Sequence, residues 1–255
     1  MAKASPLSET EKQWLQHFQR KLDEMAGHQE HVTAFLDPRQ LELAEAALGK
    51  RHDLSYTVYG GHPAAERNVL NIFSAQRQGD IPPIEAILVT WKRGENDITH
   101  RDLLGAVLAL GLRRDQVGDI LVLPDSSAAV MVIKAKADYI SQNLDQVGRV
   151  SVSCTAIDPE QLPLAEDDGK DIKGTVASLR VDAVLALGFG ISRSKVVTLV
   201  KGGLVRVNWR PVNSPSLNLK EGDQLSLKGR GRVKIAEVGG ETRKGRMHLK
   251  LKKYS

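Results

Sequence analysis

RVDAVLALGFGISRSKVVTLVKGGLVRVNWRPV, Arg180 to Val212, decides how the C-terminal part of this chain is read. Apolar residues fill Val181–Leu187 and Gly188 and Gly190 then interrupt the run, which predicts a short helix over Arg180–Leu187. Ser192 suits the cap of a second helix, with Arg193, Ser194 and Lys195 in its first turn. Val196, Leu199 and Val200 share one face of that helix and Ser194, Thr198 and Lys201 the opposite one, until Gly202-Gly203 ends it. Leu204–Trp209 reads as a strand with alternating Arg206 and Asn208, and Arg210-Pro211 as a turn. Asn218–Gly222 is a turn signal and Asp223–Lys228 the next strand. The layout is two short helices followed by small β structure with basic tips.

Charge gives this segment its chemistry. Of the 255 residues, 1–178 hold 19 basic and 26 acidic groups, whereas 179–255 hold 17 basic and 5 acidic, so a net +12 module follows a net −7 body. Segregation of that kind speaks about partners and points to a polyanion; its bland alternative is a solvated basic tail. Two helix N-termini would offer backbone N–H groups to phosphate, with Ser192 and Ser194 as hydroxyl donors and Arg180, Arg193, Lys195, Lys201 and Arg206 as cations. Lys228, Arg230 and Arg232 are separated by glycines, which allows close backbone approach to a ligand. Phosphate contacts give affinity and salt dependence with little base readout. Phe189, Trp209 and Tyr254 are the few aromatics here, so shape recognition of structured RNA fits better than base stacking.

Upstream, Trp14, Leu15, Phe18, Leu22 and Met25 recur at helical spacing, and Asp37-Pro38 starts a second helix running to about Leu48. Leu54–Tyr59 reads as a strand, and Pro63 as the start of a helix toward Ser74. From Ile84 the expected order is strand Ile84–Trp91, helix Thr99–Leu110 stopped by Gly111, strand Asp119–Leu123, turn Pro124–Ser127, strand Ala129–Ile133, helix Ala135–Leu144 and strand Arg149–Ala156. This β-α-β-β-α-β order is the ferredoxin-like one. Residues 158–178 are rich in Pro, Asp and Gly and read as a linker, with a short extended piece near Asp171–Val176. The expected class is α+β: a helical N-terminal unit (1–50), a ferredoxin-like central domain (51–157), the linker, and a small C-terminal α/β module (179–255). On the central domain, Arg101 at a helix start and Arg113-Arg114 are possible second contacts. Strand Ala129–Ile133 carries no aromatic, which makes that sheet a scaffold or protein-contact surface as readily as an RNA binder.

These residues carry a resemblance. Arg180–Val212, followed by LKEGDQLSLKGRGR, resembles the S-four RNA-binding domain over about Leu179 to Gly239. The resemblance implies an RNA face made by the R-x-D helix start (Arg180), the S-R-S helix start (Ser192, Arg193, Ser194), the K-x-G turn (Lys201, Gly203) and the valine-asparagine strand (Val207, Asn208). Further upstream, YGGHPAAER (Tyr59–Arg67) and THRDLLGAVLALGLRRDQVGDI (Thr99–Ile120) resemble the YlmH family of bacterial and plastid proteins, some cyanobacterial members of which are labelled as photosystem II S-four proteins. That resemblance spans nearly the whole chain. It implies an RRM-like central domain, association with ribosomal RNA of the large ribosomal subunit with tRNA as a further partner, and action on stalled nascent-chain complexes. A direct photosystem contact has no support in these residues.

The patterns of catalysis fit poorly. His100-Arg101-Asp102-Leu103 imitates a kinase catalytic loop, but Val107 stands where its asparagine belongs. Gly188–Arg193 imitates GxGxxG but opens a basic helix with no preceding parallel strand. His28 and His31 lie close without a third ligand, and Cys154 on a strand more readily packs than reacts. The expectation is therefore a non-enzyme without metal or cofactor, monomeric away from its RNA. No apolar run is long enough to span a bilayer, the N-terminus lacks a secretory pattern, and a single cysteine suits a reducing cytoplasm. The competing readings are an RNA-modifying enzyme with an unfamiliar site in the central domain and an adaptor that holds RNA at one end and a protein at the other.

Overall fold

The computed structural model describes residues 7–25, 30–92, 94, 98–162 and 169–254; His28 lies outside them. The chain is α+β and divides into two compact units, 1–165 and 166–255.

In the first unit, α1 (Glu9–Glu24) starts at a capping box in which Ser8 and Glu11 satisfy each other's backbone N–H groups. Its apolar stripe stacks Trp14 on Phe18 with ring centroids 5.3 Å apart. Strand β1 (His31–Val32), which the sequence reading did not anticipate, is followed by helix α2 (Pro38–Leu48), capped by Asp37 with proline at its first position as the sequence predicts. Strands β2 (Leu54–Tyr59) and β3 (Val69–Ser74) pair with β1 in the antiparallel order β1-β3-β2. The helix expected from Pro63 toward Ser74 is therefore a strand at its far end. VLNIF is a continuous buried run held between two neighbours, and its β-branched and aromatic residues favour that role. Leu70 and Ile72 pack on Phe18, Leu22, Ala44 and Leu48. The N-terminal part is thus a helix-and-sheet body reaching Ser74, where the sequence reading had a helical unit ending at residue 50.

The central sheet contains β4 (Ile84–Trp91), β5 (Val117–Leu123), β6 (Ser127–Ile133), β7 (Gln146–Val147) and β8 (Val150–Ile157), in the antiparallel order β5-β6-β4-β8-β7. Helix α3 (His100–Ala109) follows β4 and helix α4 (Ala137–Asn143) follows β6. The ferredoxin-like order is therefore realised, with β4 between β6 and β8. Both helices cover one sheet face, where Leu103, Val107, Ala137 and Ile140 pack on Ile87, Val89, Val130 and Val132. The other face, where an RRM would present its aromatics, is covered over β6 and the start of β4, where Ala86, Ala129 and Met131 lie in one buried cluster with Phe35, Val69 and Leu162, and is exposed at Thr90, Ser151, Ser153 and Thr155.

The second unit begins earlier than the linker reading allowed. β9 (Lys170–Val176) pairs along its length with the last strand, so the brief extended piece is an edge strand of the C-terminal sheet. Helices α5 (Val181–Phe189) and α6 (Arg193–Lys201) follow, their axes bent by 113° at the Gly190–Ser192 break. Next come β10 (Val205–Val207), β11 (Arg210–Pro211), β12 (Gln224–Leu227), β13 (Gly231–Glu241) and β14 (Met247–Tyr254). The sheet order is β11-β10-β12-β13-β14-β9. Arg210-Pro211 is not the turn but a short strand. The reversal is made by Asn208 and Trp209, both left-handed with φ of 47° and 62°. Val181, Val184, Leu185, Val196 and Val200 meet Val205, Leu225, Val233, Ile235 and Leu251 in one core, which places both helices on a single face of the sheet. No single helix among the described residues is long and apolar enough to cross a membrane.

Candidate nucleic-acid interface

The core dictates which side chains of α6 are free. Val196 and Val200 are buried, so Ser192, Arg193, Ser194, Lys195, Thr198 and Lys201 are left exposed. Ser192 Oγ accepts from the Lys195 N–H at 3.3 Å and lies 3.0 Å from Ser194 Oγ, so one hydroxyl pair lies at the helix start. Beyond the helix, Gly203 takes φ +68°, a left-handed position that closes the last turn. The Leu204 carbonyl then accepts the Lys228 N–H at 3.0 Å, which sets the exposed Lys228–Arg230 tip beside the turn after Lys201.

The two helix N-termini are not alike. At α5, the Val181 N–H donates to Leu217 O at 3.1 Å and the Asp182 N–H to Pro215 O at 3.0 Å. The returning 215–219 segment, bridged to Arg180 through Asn218, occupies the end that the sequence reading left open to phosphate. Only α6 presents an exposed first turn.

Asp182 organises the cations. It is 5% exposed, and its Oδ2 accepts from Arg193 Nε at 3.1 Å and Nη2 at 2.5 Å, while Arg180 Nε lies 3.3 Å from Oδ1. One buried carboxylate thus holds Arg193 of α6 by hydrogen bonds and has Arg180, the residue before α5, within ion-pair range. Arg193 keeps about half of its side chain in solvent (53%), so it is tethered and accessible at once.

Two other expected contacts also carry structural roles. Val207 is 8% exposed and faces the core. The Asn208 side chain donates to Asp223 Oδ1 at 2.9 Å and accepts the Gln224 N–H at 2.9 Å, which ties the β10–β11 turn to β12. Asp223, itself buried, also accepts the Lys220 N–H at 2.8 Å. Arg206 and Arg232 are separated from α6 altogether: each precedes a buried inward residue, so both point to the sheet face away from the helices, where Arg232 lies 4.9 Å from the Tyr254 ring centre.

On the central domain, Arg101 is exposed, and Arg113 pairs with Asp115 at 3.0 Å. Arg114 is turned inward and donates to the Val117 and Gly118 carbonyls; burial, with the Arg67 charge nearby, pulls its pKa down to about 10. Arg114 thus holds β5 in place and is not a surface contact. The GGHPAAER loop is pinned the same way, with Asp119 accepting the Glu66 N–H at 2.7 Å and meeting His62 Nε2 at 3.2 Å. Burial raises the Cys154 thiol to about 11, and its Sγ donates to Leu144 O at 3.2 Å, which suits packing.

Comparison with known proteins identifies the domains of the chain. Residues 179–225 match the S4 domain family, and residues 85–161 match the family described as the putative RNA-binding domain in YlmH. A curated relative, the ribosome-associated protein quality control protein P2 of Bacillus subtilis (strain 168), is 36% identical over 221 residues, covering 86% of this chain and 85% of the relative. The chain belongs to the YlmH family. A solved structure, the cell division protein ylmH from Streptococcus pneumoniae, superposes with a TM-score of 0.51 at 22% identity over 63% of this chain and 99% of that one, a likeness of fold. The YlmH resemblance read from Tyr59–Arg67 and Thr99–Ile120 therefore holds.

Proposed function

We propose that this YlmH-family chain is a non-catalytic factor that binds structured RNA through the exposed end of α6, in the cytoplasm, on the large ribosomal subunit. Its task is ribosome quality control, with tRNA as a second possible ligand. The observation that carries the reading is the solvent-facing set Ser192, Arg193, Ser194, Lys195 and Lys201 on a helix whose N-terminus is open, within a segment of 17 basic and 5 acidic residues. Hydroxyl donors, the helix dipole and the first-turn cations share the open end of α6, and Lys201 extends the charge to its other end about 13 Å away, so the helix suits successive backbone phosphates and gives affinity without base readout. The relative's association with ribosomes in quality control supports the same direction. On the central sheet one face is covered by α3 and α4 and part of the other by Phe35, Val69 and Leu162, which favours the C-terminal module as the main RNA contact.

The test is co-sedimentation of the full chain with purified ribosomal subunits over a salt series, beside the full-chain variant Lys195→Gln/Lys201→Gln. Binding to the large subunit that falls with salt and is lost in the variant is the expected result. Equal pelleting of the variant would move recognition away from α6. Competition by free tRNA distinguishes the second ligand.

A further inference from the structure

The six-stranded sheet has one face under α5 and α6 and one face turned away from them. Register and burial define the second face without ambiguity. Arg206 lies between buried Val205 and Val207, Lys234 between buried Val233 and Ile235, and Lys250 between buried Leu249 and Leu251. Cross-strand pairing adds Ser226 and Arg232 to the row of Arg206, Lys252 to the row of Lys234, and Lys173 to the row of Lys250. The same face carries six cations and two acids, Asp171 and Glu237. Neighbouring strands lie about 5 Å apart and same-face residues about 7 Å apart along a strand, so the cations form a flat lattice.

Two of these pairings oppose the interests of folding. Lys234 stands directly opposite Lys252, and Lys250 directly opposite Lys173. Like charges at directly opposed positions destabilise a sheet. Asp171, 3.0 Å from Lys250 and directly opposite Lys252, and Glu237, directly opposite Lys250, relieve part of that repulsion, but six cations against two acids leave a net excess on the face. A shallow depression of about 470 Å³ opens between Lys173, Thr175, His248 and Lys250.

We propose that this outer sheet face is a second RNA-backbone surface, so that one C-terminal module holds two RNA segments, one on α6 and one across β10, β12, β13, β14 and β9. The inference rests on the RNA-binding reading of α6 given above. The occupant is a nucleic-acid backbone: it offers repeated negative charge over an extended flat surface and relieves both lysine pairs at once.

The experiment uses the full chain and a defined double-stranded RNA hairpin, with complex mass read by mass photometry at low salt. Parent protein is expected to form a complex of one chain with two hairpins. The sheet-face variant Lys173→Gln/Arg206→Gln/Lys234→Gln, all at exposed positions, should stop at one hairpin and melt at the same or a higher temperature, because it removes one member of each opposed pair. Lys195→Gln/Lys201→Gln should also stop at one hairpin. A sheet-face variant that still takes two hairpins overturns the proposal and leaves the α6 reading standing, as does a parent that takes one hairpin lost only in the α6 variant. A parent that takes none overturns both. Loss of subunit co-sedimentation by the sheet-face variant with two-hairpin binding intact would assign the face to an acidic protein surface and overturn the proposal as well.

Discussion

Asp182 and Arg193 meet across the bend between α5 and α6, with Arg193 Nε and Nη2 at 3.1 and 2.5 Å from one carboxylate oxygen that is itself buried. A surface cation is thereby made part of the module's architecture. Charge reversal at Arg193 would deprive the buried Asp182 carboxylate of its hydrogen-bonding cation and put a second carboxylate nearby. Arg193→Glu is therefore expected to lower the unfolding free energy of the C-terminal module, read from urea melts, by an amount on the order of 1–3 kcal/mol, below the cost of breaking a fully buried pair because Arg193 is half-exposed. Arg193→Lys keeps the charge but loses the forked donor, so it should cost less stability while still lowering RNA affinity. Unchanged unfolding of Arg193→Glu would show that the pair is not formed in solution.

Asn208 makes a second, separable prediction. Its backbone is left-handed and its amide group binds both Asp223 and the Gln224 N–H. Asn208→Ala loses both bonds, leaves the buried Asp223 short of a donor and puts alanine where left-handed backbone is disfavoured; about 1–3 kcal/mol of stability should go with it. Asn208→Gly loses the same bonds but restores backbone ease, so it should be the milder of the two. RNA affinity per folded molecule should stay within error for both, measured by anisotropy after correcting for the folded fraction. A selective loss of affinity would return Asn208 to the RNA face.

The contrast between α6 and β10 explains what could be read in advance. A helix advertises its free face by period, so the exposed set on α6 was legible residue by residue from Val196, Leu199 and Val200. Strand residues give only an alternation, and Val207 and Arg206 fell on opposite sides of a sheet whose other layer is supplied by distant helices. The β10–β11 hairpin was missed because Asn208-Trp209 lacks the glycine that marks such turns. Pro63 misled for a related reason: proline at a helix start and proline in an irregular loop look the same locally, and only pairing between β1 and β2 decided the fate of Val69–Ser74. The occupation of the α5 N-terminus by Pro215 and Leu217 is a long-range event with no local signature.

Gly118 tests the seal over the central sheet. A Cβ added there would come within 2.5 Å of the Phe35 ring and 2.9 Å of Met131 Cβ. Gly118→Ala should therefore destabilise the first unit by roughly 1–3 kcal/mol through overpacking. Combining it with Phe35→Leu should recover part of the loss, giving a coupling between the two sites in a double-mutant cycle. Additive effects would mean that Phe35 does not cover the sheet in solution.

Acid stability offers the last test, at the root of α1. Arg39 is 8% exposed and donates to Glu11 Oε1 at 2.6 Å and to Glu42 Oε2 at 2.7 Å. Burial alone would push the Glu11 carboxyl up, but the Arg39 guanidinium and the Ser8 N–H and hydroxyl together hold it at about 2, against an ordinary 4.5. A folded pKa below the unfolded one means a stabilising contribution that is complete above pH 4.5 and is lost as pH falls toward about 2. The Glu11 carboxyl carbon should accordingly titrate near 2 by NMR, and the urea midpoint of the first unit should decline across that window. Arg39→Met leaves the Glu11 carboxylate in a confined place without its partner. It should cost roughly 3 kcal/mol at neutral pH, raise the titration midpoint and flatten the acid dependence that Glu11 contributes. A parent Glu11 that titrates at its ordinary value would mean that the ion pair does not fasten α1 to α2.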